Sequence, residues 1–263
     1  MQLPLYQVDA FVTARPFSGN PAAVCPLDHW LDDATLQGLA LENNLSETAF
    51  FVGSDGHYDL RWFTPTTEVD LCGHATLAAG FVVTSALEPG REQVKFETRS
   101  GTLEVSLKED GLLLDLPAQP GTPRDTPDAL IQGLGITPQE VLAAPYTVCV
   151  LKDEEEVRNV VPNHEALLEV DRAVAVTAPG VTCDFVSRFF GRGYGVDEDP
   201  VTGSLHSILV PYWAQRLNRD NLRAEQLSAR GGALGCHLRG DRVELTGTAR
   251  LYLQGQVSLW MDR

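Results

Sequence analysis

Two copies of one residue pattern, about half a chain length apart, limit the possible folds more than any other feature of this sequence. Residues 61–70 begin with Arg-Trp-Phe and end with Val-Asp, and residues 188–197 begin with Arg-Phe-Phe and end with Val-Asp. A glycine follows each copy, Gly73 in the first and Gly203 in the second, and each glycine opens an apolar segment. Repetition at a nearly constant spacing indicates two structurally similar halves.

The repeat continues downstream as two segments in which apolar residues alternate. Residues 101–110 start with Gly-Thr-Leu and end with Asp, and residues 232–241 start with Gly-Ala-Leu and end with Asp. Alternation is typical of strands, and the Gly and Asp residues at the end of each segment are typical of a hairpin turn. Each half is therefore predicted to contain a strand, a helix that begins at a glycine, and then a hairpin.

The two predicted central helices span 74–86 and 204–217. The first is apolar on nearly all sides, so it has to be buried on every side, which a sheet wrapped around it would achieve. Pro211 is expected to kink the second helix or to end its first part, because proline lacks the backbone N–H. Capping signals predict three further helices, at 32–42, 137–143 and 163–169.

Four prolines lie between residues 117 and 127 and mark this segment as a linker. The predicted domains are an N-terminal α+β half, 1–117, and a C-terminal α+β half, 128–263, with a last strand able to cross back to the first half. The fold class is α+β, with two pseudo-symmetric halves, each a mostly antiparallel sheet around a central helix.

The charge balance excludes several kinds of partner. Twenty Lys and Arg residues against thirty-six Asp and Glu residues give a formal net charge of −16. Such a chain repels nucleic acid and anionic membrane surfaces, so neither is an expected partner. A small carboxylate substrate would have to be held by local hydrogen-bond donors against this overall charge.

The cysteines and histidines predict neither a disulfide framework nor a cofactor. The five cysteines are scattered and form no C-x-x-C pair, which favours reduced thiols in the cytoplasm. The start of the chain has no basic stretch followed by a long apolar run, so no secretory leader is predicted. The six histidines show no metal-ligand spacing, and no nucleotide-binding or zinc-protease motif is present. No metal and no cofactor are expected.

The glycines at the starts of the two central helices suggest an anion site. The first turn of a helix has unpaired backbone N–H groups and partial positive charge, and glycine lets a ligand approach it closely. Two such starts, at Gly73 and Gly203, are expected to hold an anion in a cleft between the halves. The alternative is that both glycines serve only as caps or packing residues.

Three polar side chains near these helices could carry proton chemistry. Glu47 stands before an apolar, strand-like run, so it enters a sheet at the edge of a core, and partial burial makes a carboxylate a better base near neutral pH. His74 follows the first glycine and could polarise or protonate a substrate. Asp199 lies just before the second helix. Each also has an ordinary interpretation, as a solvated glutamate, a structural histidine and a capping aspartate.

Six blocks of sequence, in order along the chain, resemble the phenazine-biosynthesis PhzF-like isomerase family. They include Ser-Gly-Asn-Pro-Ala-Ala-Val-Cys, Leu-Cys-Gly-His-Ala-Thr-Leu and Glu-Asp-Pro-Val-Thr-Gly-Ser. The blocks lie at 9–11, 18–25, 44–50, 61–65, 71–77 and 198–204.

The resemblance implies the diaminopimelate-epimerase-like fold, pairing as a homodimer, and a biosynthetic isomerisation without a cofactor. In the phenazine enzyme of this family, proton transfer isomerises trans-2,3-dihydro-3-hydroxyanthranilate. By position, the resemblance implies that Glu47 is the catalytic acid/base. It also implies two catalytic partners, His74 and Asp199. The implied substrate contacts are Ser46, Gly73, Gly203 and Ser204.

Two alternatives stay open. Cofactor-free amino-acid epimerases and racemases on the same fold use two thiols, and Cys72 stands where such an enzyme would place one of them. Residues 199–203, the counterpart in the second half, contain no cysteine, and a two-thiol mechanism cannot run on one thiol. The other alternative is a non-catalytic small-molecule-binding protein. The predicted catalytic residues argue against it, because simple binding has no use for a proton-transfer base.

Overall fold

The structure is a computed structural model that describes residues 1–260. Its elements fall into two groups with dense internal contacts. The first unit comprises Met1–Val12, Asn20–Asp115 and the chain from Thr246 onward, and the second unit comprises Thr13–Gly19 and Leu116–Leu245. The units are defined by contacts, and the domain limits 1–117 and 128–263 stay a prediction.

Eighteen strands, six α-helices, one π-helical segment (Val83–Leu87) and one short 3₁₀ helix (Arg192–Tyr194) make up the regular structure of the described residues. The strands are β1 (Gln2–Ala10), β2 (Asn20–Leu27), β3 (Glu47–Ser54), β4 (His57–Phe63), β5 (Glu68–Val69), β6 (Gln93–Thr98), β7 (Gly101–Lys108), β8 (Gly111–Pro117), β9 (Thr122–Pro123), β10 (Glu140–Ala143), β11 (Thr147–Val150), β12 (Val174–Pro179), β13 (Phe185–Gly191), β14 (Val196–Asp199), β15 (Asn221–Gln226), β16 (Gly232–Arg239), β17 (Arg242–Gly247) and β18 (Ala249–Ser258). The helices are α1 (Asp33–Asn43), α2 (Gly73–Val82), α3 (Asp128–Leu134), α4 (Glu154–Asn159), α5 (His164–Leu168) and α6 (Gly203–Leu217).

The two units repeat the same order of strand pairings. In the first unit β3 and β4 are antiparallel, β4 also pairs with β6 in parallel, and β6 and β7 are antiparallel. In the second unit β12, β13, β15 and β16 make the same three kinds of pairing in the same order. In the two parallel pairs, Tyr58 lies opposite Phe96 and Val186 lies opposite Glu225. The α+β fold with two pseudo-symmetric halves is confirmed.

Helix α2 is the buried centre of the first unit. It contacts β1, β2, β3, β7 and β18, and all of its residues except Phe81 are buried. A side chain at Gly80 would bring its Cβ within 2.5 Å of Val105 Cγ1, so only glycine fits against β7 without a shift. Beyond Val82 the chain continues as a π-helical segment over Val83–Leu87. A sheet thus surrounds a helix, as the apolar pattern of this segment predicts.

Helix α6 is the corresponding helix of the second unit, and Pro211 lies inside it without ending it. The expectation that this proline ends the first part of the helix is wrong. Proline cannot donate to the carbonyl four residues earlier, which belongs to Ser207. The backbone N–H of Gln119 donates to that carbonyl instead, at 2.9 Å. A hydrogen bond from a distant segment replaces the missing helical one, so the helix continues to Leu217.

The arginines of the sequence repeat hold equivalent positions. Arg61 on β4 donates from Nε and Nη2 to the two carboxylate oxygens of Glu68, at 2.7 and 2.9 Å. Arg188 on β13 makes the same two contacts with Glu198, at 2.7 and 2.9 Å. Paired bonds of this kind fix the relative position of two strands. The repeated arginine is therefore a structural residue in each unit.

Strand β18 is the most exposed strand of the first unit. It is antiparallel to β1 from Gln2–Ser258 to Ala10–Ala249, yet seven consecutive residues, 250–256, are exposed. The exposed side chains include Leu251, Tyr252 and Leu253. Within residues 1–260, none of the helices combines the length and the apolar character needed to cross a membrane.

Candidate active site

The first unit brings together the strand that begins at Glu47 and the helix that begins at Gly73. Glu47 is the first residue of β3, which lies parallel to β2, and His74 is the second residue of α2. Their side chains meet with Glu47 Oε2 3.1 Å from His74 Nε2. The His74 side chain is 2% exposed and that of Glu47 is 15% exposed. The two residues predicted to move a proton are therefore adjacent and largely removed from water.

The contact between these two side chains is close without being an aligned hydrogen bond. Glu47 Oε2 and His74 Nε2 are both buried, and neither has a hydrogen-bond partner of acceptable geometry within the described part of the chain. Burying such atoms without a partner costs about 1–3 kcal/mol each. Unpartnered buried polar atoms of this kind are typical of sites that complete their hydrogen bonds with a bound molecule.

The other ring nitrogen of His74 has two neighbours. Asn20 Nδ2 lies 3.1 Å from His74 Nδ1, and Cys72 Sγ lies 3.6 Å from the same nitrogen. The hydroxyl of Ser46 donates to Asn20 Oδ1 at 3.0 Å. Ser46 was predicted as a substrate contact, and in the structure it supports Asn20. Asn20 was not singled out from the sequence, and its signal was its place in the block at 18–25.

The charges of the site act on the Cys72 thiol and the His74 ring. Burial, helped by the negative charge of Glu47, raises the pKa of Cys72 to about 11. Burial is the largest influence on the pKa of His74 and lowers it, whereas a charged Cys72 and Glu47 together raise it above its ordinary value. Near neutral pH the Cys72 thiol keeps its proton, because burial raises its pKa to about 11, so of these two groups only Glu47 then opposes the effect of burial on His74.

Two of the predicted residues of the second unit, Asp199 and Ser204, have hydrogen-bond partners within that unit. Asp199 is buried and accepts a hydrogen bond from Thr202 Oγ1. The Gln226 amide donates to Asp199 O at 2.8 Å and accepts from the Thr202 backbone N–H at 2.8 Å. Ser204 Oγ lies 3.0 Å from the hydroxyl of Tyr146, a residue that the sequence did not indicate. These contacts fix the segment that leads into α6.

Both central helices begin without a side-chain cap. Cys72 is the N-cap of α2 and Thr202 is the N-cap of α6, and neither side chain accepts from its helix's first turn. The helix starts therefore keep backbone N–H groups and the positive end of the helix dipole available to a ligand. Of the seven predicted site residues, Ser46, Glu47, Gly73 and His74 lie in the first unit, and Asp199, Gly203 and Ser204 lie in the second. Their action on one substrate stays a prediction.

Glu47, Cys72 and His74 also offer one donor atom each within 4.8 Å of one another. Carboxylate, thiolate and imidazole together are a donor set that zinc uses. Zinc would require the ionised thiol, and burial raises the pKa of Cys72 to about 11. The same three side chains suit proton transfer without that cost.

The fold defines the class of protein. A crystal structure of a hydroxyproline epimerase from Agrobacterium vitis superimposes with a TM-score of 0.67, over 98% of this chain and 93% of that one. The two sequences are only 11% identical, so the comparison shows a common fold and no more. By fold, the chain is one of the α+β proteins that include the diaminopimelate-epimerase-like enzymes.

Closer comparisons show the family. Residues 8–255 match the family described as phenazine biosynthesis-like protein, and the chain belongs to this PhzC-PhzF family. A relative from Pseudomonas aeruginosa named an uncharacterized isomerase is 53% identical over 260 residues, which cover 98% of this chain and 100% of that protein. The crystal structure of a PhzF family protein from Enterococcus faecalis is 44% identical with a TM-score of 0.92, covering 98% of this chain and 100% of that one.

Proposed function

We propose that the protein is a cofactor-independent isomerase that moves a proton on a small metabolite carrying a carboxylate, with Glu47 as the base. The observation that carries this proposal is the pair of buried atoms, Glu47 Oε2 and His74 Nε2, which lie 3.1 Å apart without an aligned hydrogen bond. A carboxylate acceptor and a ring N–H donor so placed can take a proton from carbon and stabilise the charge that forms.

The proposed reaction conserves protons and electrons. Glu47 removes a proton from a carbon, the electron pair of that C–H bond moves into an adjacent conjugated system, and the double bonds shift. The protonated Glu47 then returns the proton to a different carbon of the same molecule. No oxidant or reductant is consumed, which is the reason that the chemistry needs no cofactor. The isomerisation of trans-2,3-dihydro-3-hydroxyanthranilate, expected from the sequence resemblance, is one reaction of this class.

The preference for a carboxylate substrate is supported by the helix starts. With a net charge of −16, the chain as a whole repels anions, so attraction has to be local. The uncapped first turns of α2 and α6, at Gly73 and Gly203, supply such attraction. Ser204, next to Gly203, supplies a hydroxyl that Tyr146 holds in place. Asp199 and Ser204 are proposed to orient the substrate or its proton.

We also propose that the protein is a homodimer. Strand β18 exposes Leu251, Tyr252 and Leu253, at 46%, 59% and 43%. Consecutive side chains of a strand point to opposite faces, so apolar surface is exposed on both sides of this strand. Exposed apolar patches of this kind are typical of protein–protein contacts. A second copy of the chain is the partner that the sequence resemblance implies.

Solvent deuterium exchange is the direct test of the proposed activity. The protein would be incubated in heavy water with a panel of small unsaturated carboxylates, with EDTA present, and C–H exchange followed by NMR. One or more compounds should exchange, and EDTA should not reduce the rate. If a panel compound binds but shows no C–H exchange, the protein is a binding protein and not an isomerase. If exchange is lost when EDTA is added, the proposed independence of a cofactor is wrong.

A thiol-based epimerase is the second candidate, because Cys72 lies beside His74. Its thiol keeps its proton near neutral pH, since burial raises its pKa to about 11. A protonated thiol is a poor base. The carboxylate of Glu47 is therefore favoured as the proton acceptor, and an amino-acid panel in the same exchange assay separates the two candidates.

A further inference from the structure

The two ring nitrogens of His74 face different chemical groups. Nε2 faces the carboxylate of Glu47 at 3.1 Å, and Nδ1 faces the amide nitrogen of Asn20 at 3.1 Å. A neutral imidazole carries one proton, and its neighbours decide which nitrogen holds it. The role of His74 in any proton transfer depends on that choice, because only the protonated nitrogen can donate.

The Asn20 amide is held with its NH₂ group toward the ring. Asn20 is the first residue of β2 and is fully buried. Its carbonyl oxygen accepts a hydrogen bond from the Ser46 hydroxyl at 3.0 Å. The two ends of the amide thus have different partners, a hydroxyl at Oδ1 and the imidazole at Nδ2. This orientation presents an N–H donor to His74 Nδ1.

A donor facing Nδ1 leaves no place for a proton on that nitrogen. The Cys72 thiol, 3.6 Å from Nδ1, is a second donor on the same side as long as it keeps its own proton. Two donors converge on one lone pair, so the ring proton belongs on Nε2. That nitrogen is the one beside the Glu47 carboxylate.

We propose that Asn20 is a positioning residue that holds His74 as the neutral tautomer protonated on Nε2. His74 is then a hydrogen-bond donor beside the base, and Glu47 stays the acceptor that removes the proton. The tautomer follows from the contacts of Asn20 and Cys72 with the ring, and its catalytic consequence rests on the proposed isomerase function.

Asn20 acts against a specific competing state. The negative charge of Glu47, on β3, attracts a second proton to the ring, which would make His74 an imidazolium and leave Glu47 a weaker base beside a positive charge. That proton would have to lie on Nδ1, directly opposite the Asn20 NH₂ and the Cys72 thiol at the start of α2. Because Asn20 presents a donor to Nδ1 where a proton on that nitrogen would need an acceptor, it favours the neutral ring and so keeps Glu47 the stronger base.

Nitrogen NMR tests this assignment without any substrate. The protein would be labelled with ¹⁵N-histidine, and the His74 ring signals identified at pH 7.5 by their loss in His74→Gln. We expect Nε2 to carry a proton and Nδ1 to carry none. A wild-type spectrum with a proton on Nδ1, alone or together with one on Nε2, would overturn the proposal even if no variant can be prepared.

The Asn20→Asp substitution keeps the shape of the side chain nearly constant and replaces the hydrogen-bond donor that faces His74 Nδ1 by an acceptor. A carboxylate opposite Nδ1 is an acceptor, so His74 Nδ1 should gain a proton in this variant. Asn43→Asp is the matched control, because Asn43 donates to Thr48 at 3.1 Å near the start of β3 and does not contact the ring. The control should keep the wild-type nitrogen pattern. An unchanged pattern in a folded Asn20→Asp protein would contradict the role of Asn20.

The catalytic consequence has its own measurement. Once a substrate is known from the exchange assay, Asn20→Asp should lower kcat by about 10²-fold, the scale of a lost general acid–base contribution, with a smaller change in KM. Equal loss of folded protein and activity would show a merely structural role. If no compound exchanges, the proposed isomerase function is wrong. The nitrogen NMR experiment still tests the tautomer of His74 independently, because it uses no substrate.

Discussion

At the scale of single residues, the decisive difference in the site is between a carboxylate and a thiol. Replacing Glu47 by Gln keeps the size of the side chain and removes the base. Exchange and turnover should fall by about 10²-fold or more. The free energy of unfolding, measured by urea denaturation, should change little, because the buried Oε2 atom has no aligned hydrogen bond to lose.

Cys72→Ser is the control for that prediction. The serine keeps a small polar group near His74 Nδ1 and removes the thiol. Most activity should remain, because the thiol keeps its proton at neutral pH. If Glu47→Gln stays active and Cys72→Ser is inactive, the thiol is the base and the epimerase candidate is correct.

The sequence identified part of the site and missed the rest for a physical reason. Glu47 and His74 were predicted from chemistry and from the family blocks, and the structure places them in contact. Asn20 and Tyr146 were missed, because an amide and a phenol show no pattern in sequence that separates a hydrogen-bond partner from any other polar residue. They are recognised only from their contacts in the structure, Asn20 with His74 of α2 and Tyr146 with Ser204 of α6.

At the scale of elements, α2 depends on close contact between its own backbone and β7. Gly80→Ala would place a Cβ 2.5 Å from Val105 Cγ1. Overpacking of this kind destabilises a protein by about 1–3 kcal/mol, measurable by urea denaturation. Gly38→Ala in α1 is the matched control, because its Cβ would meet nothing within 4 Å. It should be neutral or stabilising by up to about 1 kcal/mol. Equal effects of the two substitutions would show that the contact with Val105 is not the cause.

The starts of α2 and α6 give a second prediction for elements. A small carboxylate titrated into ¹⁵N-labelled protein should shift the backbone amide signals of residues 73–75 and 203–205. Those groups are the uncapped first turns that carry positive partial charge. The start of α4 is the control, because the Asp153 side chain already accepts from Glu156 N. Shifts at α4 as large as those at α2 would indicate nonspecific binding.

Of the three helices predicted from capping signals, two are present and the third is replaced by a strand. The predictions at 32–42 and 163–169 correspond to α1 and α5. The helix predicted at 137–143 is wrong, because residues 140–143 form β10. Val141 and Leu142 pair there with Cys149 and Val148 of β11. The local Thr-Pro start and the residues after it favour a helix, and pairing with a neighbouring strand outweighs that preference.

At the scale of the whole molecule, the exposed strand β18 predicts the state of assembly. Sedimentation equilibrium should give twice the 28.7 kDa mass of one chain. Leu253→Glu should shift the protein toward the single-chain mass, because a charge would be placed in an apolar contact. Leu107→Glu, on β7, makes the same change at a leucine that is 47% exposed, against 43% for Leu253, and should leave the mass unchanged. A wild-type protein with the mass of one chain would contradict the homodimer.

The pairing of β1 with β18, from Gln2–Ser258 to Ala10–Ala249, has a consequence for biosynthesis. The ribosome releases β1 well before β18, so β1 cannot pair with this neighbour until all the residues between the two strands have been synthesised. Residues 116–245 emerge before that moment and contain most of the second unit, which can gain its structure while the first still lacks an outer strand. The first unit therefore completes its strand pairing only after β18 has been synthesised. Removal of β18 should therefore destabilise β1, the strand that leads toward Asn20.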